Sequence, residues 1–241
     1  MKGIILSAGN GTRLLPLTRD MPKCLVDVDG RSILDRQLEA LAEAGVARAV
    51  VVVGYRARRV QAHLDAVTAP LPVDLVYNPF WRVASSIGSV WEARAHLDAP
   101  FVLMNGDTVF DPQVIAGAIE DAGDGLGLLV EPLGGHELDD MLVEASGGRV
   151  RAVAKTLSAD HATHRSLGVV IAPRAEDAAA YAHALDEVIA APDGTQSYHH
   201  DVVDWLAGTA GVGAVLRREG MWQEIDRPAD IDRWTRGHHR A

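Results

Sequence analysis

The most chemically loaded pattern in the chain is a run of small residues bracketed by two cations. Ser7-Ala8-Gly9-Asn10-Gly11-Thr12-Arg13 follows the apolar run Gly3-Ile4-Ile5-Leu6, and Lys23 comes later, after Met21-Pro22. Small residues let successive backbone N–H groups turn toward one point and cradle an anion. Arg13 adds a planar fork that is always charged, and Lys23 adds a compact point charge. Together they suit a polyphosphate. Two other phosphate loops fit poorly. A dinucleotide fingerprint needs a glycine where Leu14 stands and an acidic residue ending the second strand, but the run Ala49–Val53 ends in Gly54-Tyr55. A P-loop needs Gly-Lys-Ser/Thr to close it, and Lys23 is too far along. A tight turn flanked by surface cations is the competing reading.

The surrounding elements would set that loop at the edge of a sheet. Gly3–Leu6 reads as a strand buried on both faces. Ser32 can cap a helix from Ile33 to about Ala44, with Leu34, Leu38 and Leu41 on one side and Gly45 closing it. The strand 49–53, a helix near 58–66 and the strand Val73–Tyr77 complete a β-α-β-α-β order, which predicts a parallel, right-handed, doubly wound sheet. Ligands of such sheets bind beyond the carboxyl ends of the strands, where Gly9 to Arg13 falls. Ser85 to Ser89 opens a helix expected to reach about Leu97. The strand Phe101–Met104 runs into Asn105-Gly106-Asp107, so Asp107 should face the cleft. A helix near 112–120 and a strand near 126–131 follow. Residues 141–154 then alternate in polarity around Gly147-Gly148, as a hairpin does. A buried strand at 167–171, helices near 175–190 and 198–207, a strand at 212–216, the extended 222–226 and a helix from Pro228 to Trp234 end the chain. The expected whole is one domain, 1–241: an α/β fold with a doubly wound, mostly parallel sheet and a small antiparallel insertion.

Composition narrows the partners. A net charge of −10 over 241 residues argues against nucleic acid and against an anionic membrane surface. An anionic substrate must therefore meet a local cationic site. No apolar run approaches the ~18 residues of a membrane span, and no signal-peptide pattern opens the chain. Cys24 is the only cysteine, so a reducing cytoplasm is expected. Lysine is scarce too, with only Lys2, Lys23 and Lys155, which draws attention to Lys155.

Gly3 to Lys23 resembles the signature of the nucleotidylyltransferases that activate sugar phosphates and alcohol phosphates: a strand, a Gly-x-Gly-Thr-Arg loop, then Pro-Lys. Residues 1 to about 235 follow that family's order of elements, and the chain looks most like the bacterial CTP:phosphocholine cytidylyltransferases and their phosphonate-activating relatives. The resemblance implies a Rossmann-like nucleotidyltransferase fold. It also implies a nucleoside triphosphate, CTP in the branch it resembles most, held by Leu6, Ser7, Ala8, Gly9, Asn10, Gly11, Thr12, Arg13 and Lys23, with Asn78, Ser86, Ser89 and Asp107 completing the nucleotide site. Ser85 and Ser86 depart from the two asparagines of that branch's base loop. The resemblance pairs Asp107 with Asp226 of Glu224-Ile225-Asp226 around one Mg²⁺, which prefers one or two carboxylates plus phosphate oxygens. The competing reading of Asp226 is a cap for the helix that follows it, and the two roles can coexist. The acceptor side would use Asp139, Lys155, Tyr198, His200, Trp222 and Glu224.

The implied reaction is attack by a small phosphate or phosphonate acceptor on the α-phosphorus, releasing pyrophosphate. Arg13, Lys23, Asp107 and Asp226 would carry the chemistry. Two rivals are a sugar-1-phosphate uridylyl- or guanylyltransferase and a non-catalytic nucleotide-binding regulatory subunit. A homodimer is compatible with the sequence.

Overall fold

A computed structural model describes residues 1–134, 139–158 and 160–238 of the protein. The first half alternates as expected. Strand β1 (Lys2–Ser7) leads through the Gly-rich loop to a two-residue hairpin, β2 (Asp27–Val28) and β3 (Arg31–Ser32), then helix α1 (Ile33–Glu43) and β4 (Arg48–Val53). Helix α2 (Ala57–Ala66), β5 (Val73–Tyr77), α3 (Ser86–Glu92) and β6 (Phe101–Asn105) follow. The Ser32 hydroxyl accepts from the Asp35 N–H at 3.0 Å, so the capping expected from sequence is present. Helix α3 stops at Glu92, short of Leu97, and a 3₁₀ turn at Arg94–His96 replaces its last turns.

The second half holds β7 (Thr108–Phe110), α4 (Pro112–Asp121), β8 (Gly127–Pro132), β9 (Leu142–Ser146), β10 (Arg149–Ala154) and β11 (His164–Ala172). The chain then runs through α5 (Ala175–Ala190), α6 (His199–Thr209), β12 (Val212–Leu216), β13 (Trp222–Glu224) and α7 (Pro228–His238). Gly147 and Gly148 both take left-handed φ, at 58° and 72°, as a tight hairpin turn requires.

Nine strands form one sheet in the order β5-β4-β1-β6-β11-β8-β12-β10-β9. Pairs β5–β4, β4–β1 and β1–β6 are parallel, as is β12–β8, while β11 runs antiparallel between β6 and β8. The antiparallel hairpin β9–β10 continues this sheet instead of lying beside it. Because strand side chains alternate, each apolar run feeds two layers. Ile4, Val50, Val52 and Leu103 pack toward α3, α5 and α6; Ile5, Val51, Val53 and Met104 pack toward α1, α2 and α4. A third cluster joins Leu14, Val26, Val28, Ile33, Val109, Ile225 and Trp234. It fastens the end of the Gly-rich loop to the C-terminal helix, and full burial of Leu14 contributes about 1.5–3 kcal/mol to holding the neighbouring Arg13. Among the described residues, no helix is long and apolar enough to cross a membrane.

Candidate active site

The Gly-rich loop leaves β1 at the carboxyl end of the sheet. Gly11 sits at φ +61°, and a Cβ there would lie 2.9 Å from the Lys23 Cβ. Glycine thus serves both the backbone conformation and the close passage of Lys23. The Gly11 carbonyl accepts from the Thr18 hydroxyl at 2.7 Å and from the Leu14 N–H at 3.0 Å, which closes the turn. Lys23 opens a 3₁₀ turn after Pro22. Its neighbour Cys24 is buried, and burial pushes the thiol up to about 12, so it is a packing residue.

The opposing wall comes from two short strands. After β6 the chain turns at Gly106, where a Cβ would lie 2.3 Å from Ser7 Oγ and 2.4 Å from the Leu6 carbonyl. Only glycine lets the turn press against β1. Strand β7, absent from the sequence reading, pairs antiparallel with β13 so that Thr108 faces Glu224, and the Ile225 N–H donates to the Asp107 carbonyl at 2.9 Å. The Asp226 carboxylate turns to Arg13 and Lys23, while the Asp230 carboxylate accepts from the Asp226 and Arg227 N–H groups at 3.0 and 2.7 Å just ahead of α7.

Asp107, Glu224 and Asp226 therefore meet, each offering a carboxylate oxygen within 4.8 Å of the others. Lys23 Nζ lies 2.8 Å from Asp107 Oδ2 and also bonds Asp226 Oδ1. Arg13 Nη2 reaches Asp226 Oδ2 at 2.8 Å, and its Nη1 pairs with Asp139. Burial alone would raise the Asp107 carboxyl, but Lys23 and then Arg13 outweigh it and hold the group below its ordinary range. Burial lowers and the two aspartates raise Lys23, with a net upward shift. Glu224 goes the other way: burial, then Asp107 and Asp226, push it to about 8. Three crowded carboxylates, whose mutual repulsion helps raise Glu224, fit a hard divalent cation that would relieve that repulsion.

A pH prediction follows from Glu224. The folded carboxyl at about 8 lies above its ordinary 4.5, so between those values the folded state binds more protons than the unfolded one. Stability from this group is fully present below 4.5 and declines as pH rises toward 8, by at most about 1.4 kcal/mol per pH unit. Denaturant titrations from pH 5 to 9 should show this decline in the wild type and lose it in Glu224→Gln or on adding Mg²⁺. An identical slope in Glu224→Gln would remove Glu224 from the cluster's proton balance.

A cavity of ≈ 300 Å³ opens in front of these groups. Of the residues expected at the site, Leu6, Ala8, Gly9, Arg13, Asn78, Ser86, Ser89, Asp107, Asp139, Lys155, Tyr198, His200, Trp222 and Glu224 line it. Ser7, Asn10, Gly11, Thr12, Lys23 and Asp226 do not line it; Lys23 and Asp226 act on it from behind, through their ion pairs. Asn78 and Ser89 bond each other at 3.1 Å in the buried wall. Lys155 pairs with Asp139 at 2.8 Å and sits 5.0 Å above the Tyr198 ring. Trp222 donates to Glu131 at 3.0 Å beneath Arg165, whose guanidinium lies 4.9 Å from the ring.

The sequence reading missed His199 as a wall residue. It stacks on His200 at 3.9 Å between ring centres, and its N–H donates to Ser86 Oγ at 2.9 Å. Burial lowers His199 to about 4, while His200, bonded to Ser166 at 2.9 Å, lies well below the ordinary histidine range, so the pair is neutral. The Tyr198-His199-His200-Asp201 run at a helix start was the available signal.

Comparison with known proteins places the chain in a family. The chain is 35% identical to the UTP–glucose-1-phosphate uridylyltransferase of Haloferax volcanii over 135 residues, 54% of each protein. It is 29% identical to the CMP-5'-(3-aminopropyl)phosphonate synthase of Streptomyces rubellomurinus over 239 residues, 95% of this chain and 37% of that one. The matches thus span about half or less of the length of these relatives. The solved structure of the CTP:phosphocholine cytidylyltransferase of Streptococcus pneumoniae superposes with a TM-score of 0.76 over 98% of both chains at 22% identity, a likeness of fold. Residues 3–162, which carry the Gly-rich loop, Lys23 and Asp107, match the MobA-like NTP transferase domain, and the chain belongs to that family.

Proposed function

We propose that the protein transfers a nucleotidyl group, CMP from CTP, to a small phosphate or phosphonate acceptor with release of pyrophosphate, using Mg²⁺. The observation that carries this reading is the convergence of Arg13 and Lys23 with the Asp107, Glu224 and Asp226 carboxylates beyond the carboxyl ends of the parallel strands β1 and β6. An incoming triphosphate exchanges places with the carboxylates that now neutralise Arg13 and Lys23. The acceptor oxygen forms a bond to the α-phosphorus as the bond to the pyrophosphate oxygen breaks. That nucleophile is already ionised, because a phosphomonoester's second pKa is about 6, so no general base is needed. Asp107, Glu224 and Asp226 would hold the divalent cation, which supplies charge neutralisation at the phosphates. The protein's own part is positioning and electrostatic stabilisation by Arg13 and Lys23.

Two observations support the choice of substrates. The similarity to the phosphonate synthase runs through 95% of this chain, acceptor half included, whereas the sugar-phosphate enzyme matches over 135 residues. A quaternary ammonium needs free aromatic faces. Here Lys155 covers Tyr198, Arg165 covers Trp222, and Trp205 packs edge-on against His183. This favours an anionic acceptor without a trimethylammonium group, with Lys155 meeting its phosphoryl oxygens.

Pyrophosphate release measured for each ribonucleoside triphosphate against phosphocholine, 2-aminoethylphosphonate, 2-hydroxyethylphosphonate and inositol phosphate tests this. CTP and a phosphonate or polyol phosphate should give the highest kcat/KM, and Lys155→Ala should raise the acceptor KM about tenfold or more, the effect of losing one charge-assisted bond. Preference for UTP or GTP sinks the donor assignment. Efficient phosphocholine turnover, or an unchanged acceptor KM in Lys155→Ala, sinks the acceptor assignment.

A further inference from the structure

Gln37, on helix α1, has a fully buried side chain, and its amide crosses to the turn that carries Asp107. Its Nε2 lies 2.6 Å from the Asn105 carbonyl and 2.9 Å from the Thr108 carbonyl. Both partners are carbonyl oxygens, so the nitrogen, not the oxygen, must face them, and the two amide protons divide between them. These carbonyls bracket Gly106-Asp107, where β6 has ended and β7 has not begun. One side chain thus supplies the donors that a neighbouring strand would otherwise give.

The turn is clamped from the other side as well. The Gly106 N–H donates to the Leu6 carbonyl at 3.1 Å, and the Ile225 N–H to the Asp107 carbonyl at 2.9 Å. Gln37 Oε1, by contrast, is buried without a partner among the described residues. A side chain kept only to fill this space would avoid that unsatisfied oxygen; what the amide does satisfy is the Asp107 turn.

We infer that Gln37 is a positioning residue for the divalent cation, setting the direction from which the Asp107 carboxylate meets Glu224 and Asp226. This rests on the reading of those carboxylates as the metal site. Mg²⁺ demands near-ideal octahedral geometry, so a small rotation of one ligand weakens binding steeply. Partners that orient a ligand from behind typically change metal affinity about 10–100-fold when lost.

The test follows Mn²⁺ binding by electron paramagnetic resonance, which needs neither substrate and so stands apart from the choice of CTP or acceptor. Gln37→Met keeps the side chain's length and removes both donors; Gln37→Glu keeps at most one, when protonated. The Mn²⁺ Kd should rise about tenfold or more in Gln37→Met and by less in Gln37→Glu. Metal-free binding of inorganic tripolyphosphate, measured by calorimetry, should change by less than about twofold, because Arg13 and Lys23 are carried by other elements. If Gln37→Met alone fails to fold, Gln37→Glu decides by the same two readouts. Unchanged Mn²⁺ affinity in the folded variant, an equal loss of tripolyphosphate affinity, or failure of both variants to fold would each make Gln37 a packing residue and overturn the inference.

Discussion

Asp226→Ala and Asp107→Ala are each expected to lower turnover by about 10²–10³, the size of effect seen when a preorganised charge-stabilising group is removed. The two should part company in metal-free binding of tripolyphosphate. Asp226 bonds both Lys23 and Arg13 in the ligand-free protein, so removing it frees both cations from their competitor and should tighten that binding. Asp107 engages Lys23 alone among them, and its loss should have a smaller effect of the same sign. Rapid-quench turnover and tripolyphosphate calorimetry on both variants check this. Near-normal turnover in either variant removes that residue from the proposed metal site. Weaker tripolyphosphate binding in Asp226→Ala would mean that Asp226 organises the two cations instead of competing for them.

Lys23→Ala is expected to be the most destabilising change at the site. The Lys23 side chain is only 12% exposed and stands between Asp107 and Asp226, with Glu224 beside them. Without it the carboxylates lose their nearest counter-charge, and breaking one side of a buried ion pair costs about 3–5 kcal/mol. For a chain of this size that corresponds to a fall in Tm of about 10 °C. A divalent cation can take over the same neutralising role, so Mg²⁺ should raise the Tm of Lys23→Ala by more than it raises the wild type's. Turnover should fall with it, because the triphosphate loses a fixed point charge. Differential scanning calorimetry with and without Mg²⁺ is the measurement. A Tm within about 2 °C of the wild type would show that Arg13 alone balances the three carboxylates, and equal Mg²⁺ shifts would place the cation elsewhere.

Local signals in the sequence were enough for the parallel half of the fold and for the loop. Uninterrupted β-branched runs at 3–6 and 49–53, a serine cap at Ser32 and the small residues 7–11 each report on their own neighbourhood, where propensity and turn chemistry decide the outcome. The Gly147-Gly148 hairpin was legible for the same reason. The Asp29-Gly30 turn between β2 and β3, with φ 56° and 80°, carries an equally plain turn signal, but its strands are only two residues long and show no alternation. What no local rule could supply was the grouping of distant side chains. Strand β7 is three residues long and exists because β13 pairs with it; that pairing brings Glu224 from the expected acceptor side into contact with Asp107 and Asp226. The Asp226 carboxylate turns to Arg13 and Lys23, more than two hundred residues earlier in the chain. The raised Glu224 and the lowered His199 and His200 arise from burial and from groups far away in the chain, and so does the reach of Gln37 to the Asp107 turn. Periodicity and turn chemistry act over a few residues, so the sequence by itself determined which residues could do chemistry here. Desolvation and long-range pairing are properties of the folded whole, and only the tertiary structure decided which of those residues meet.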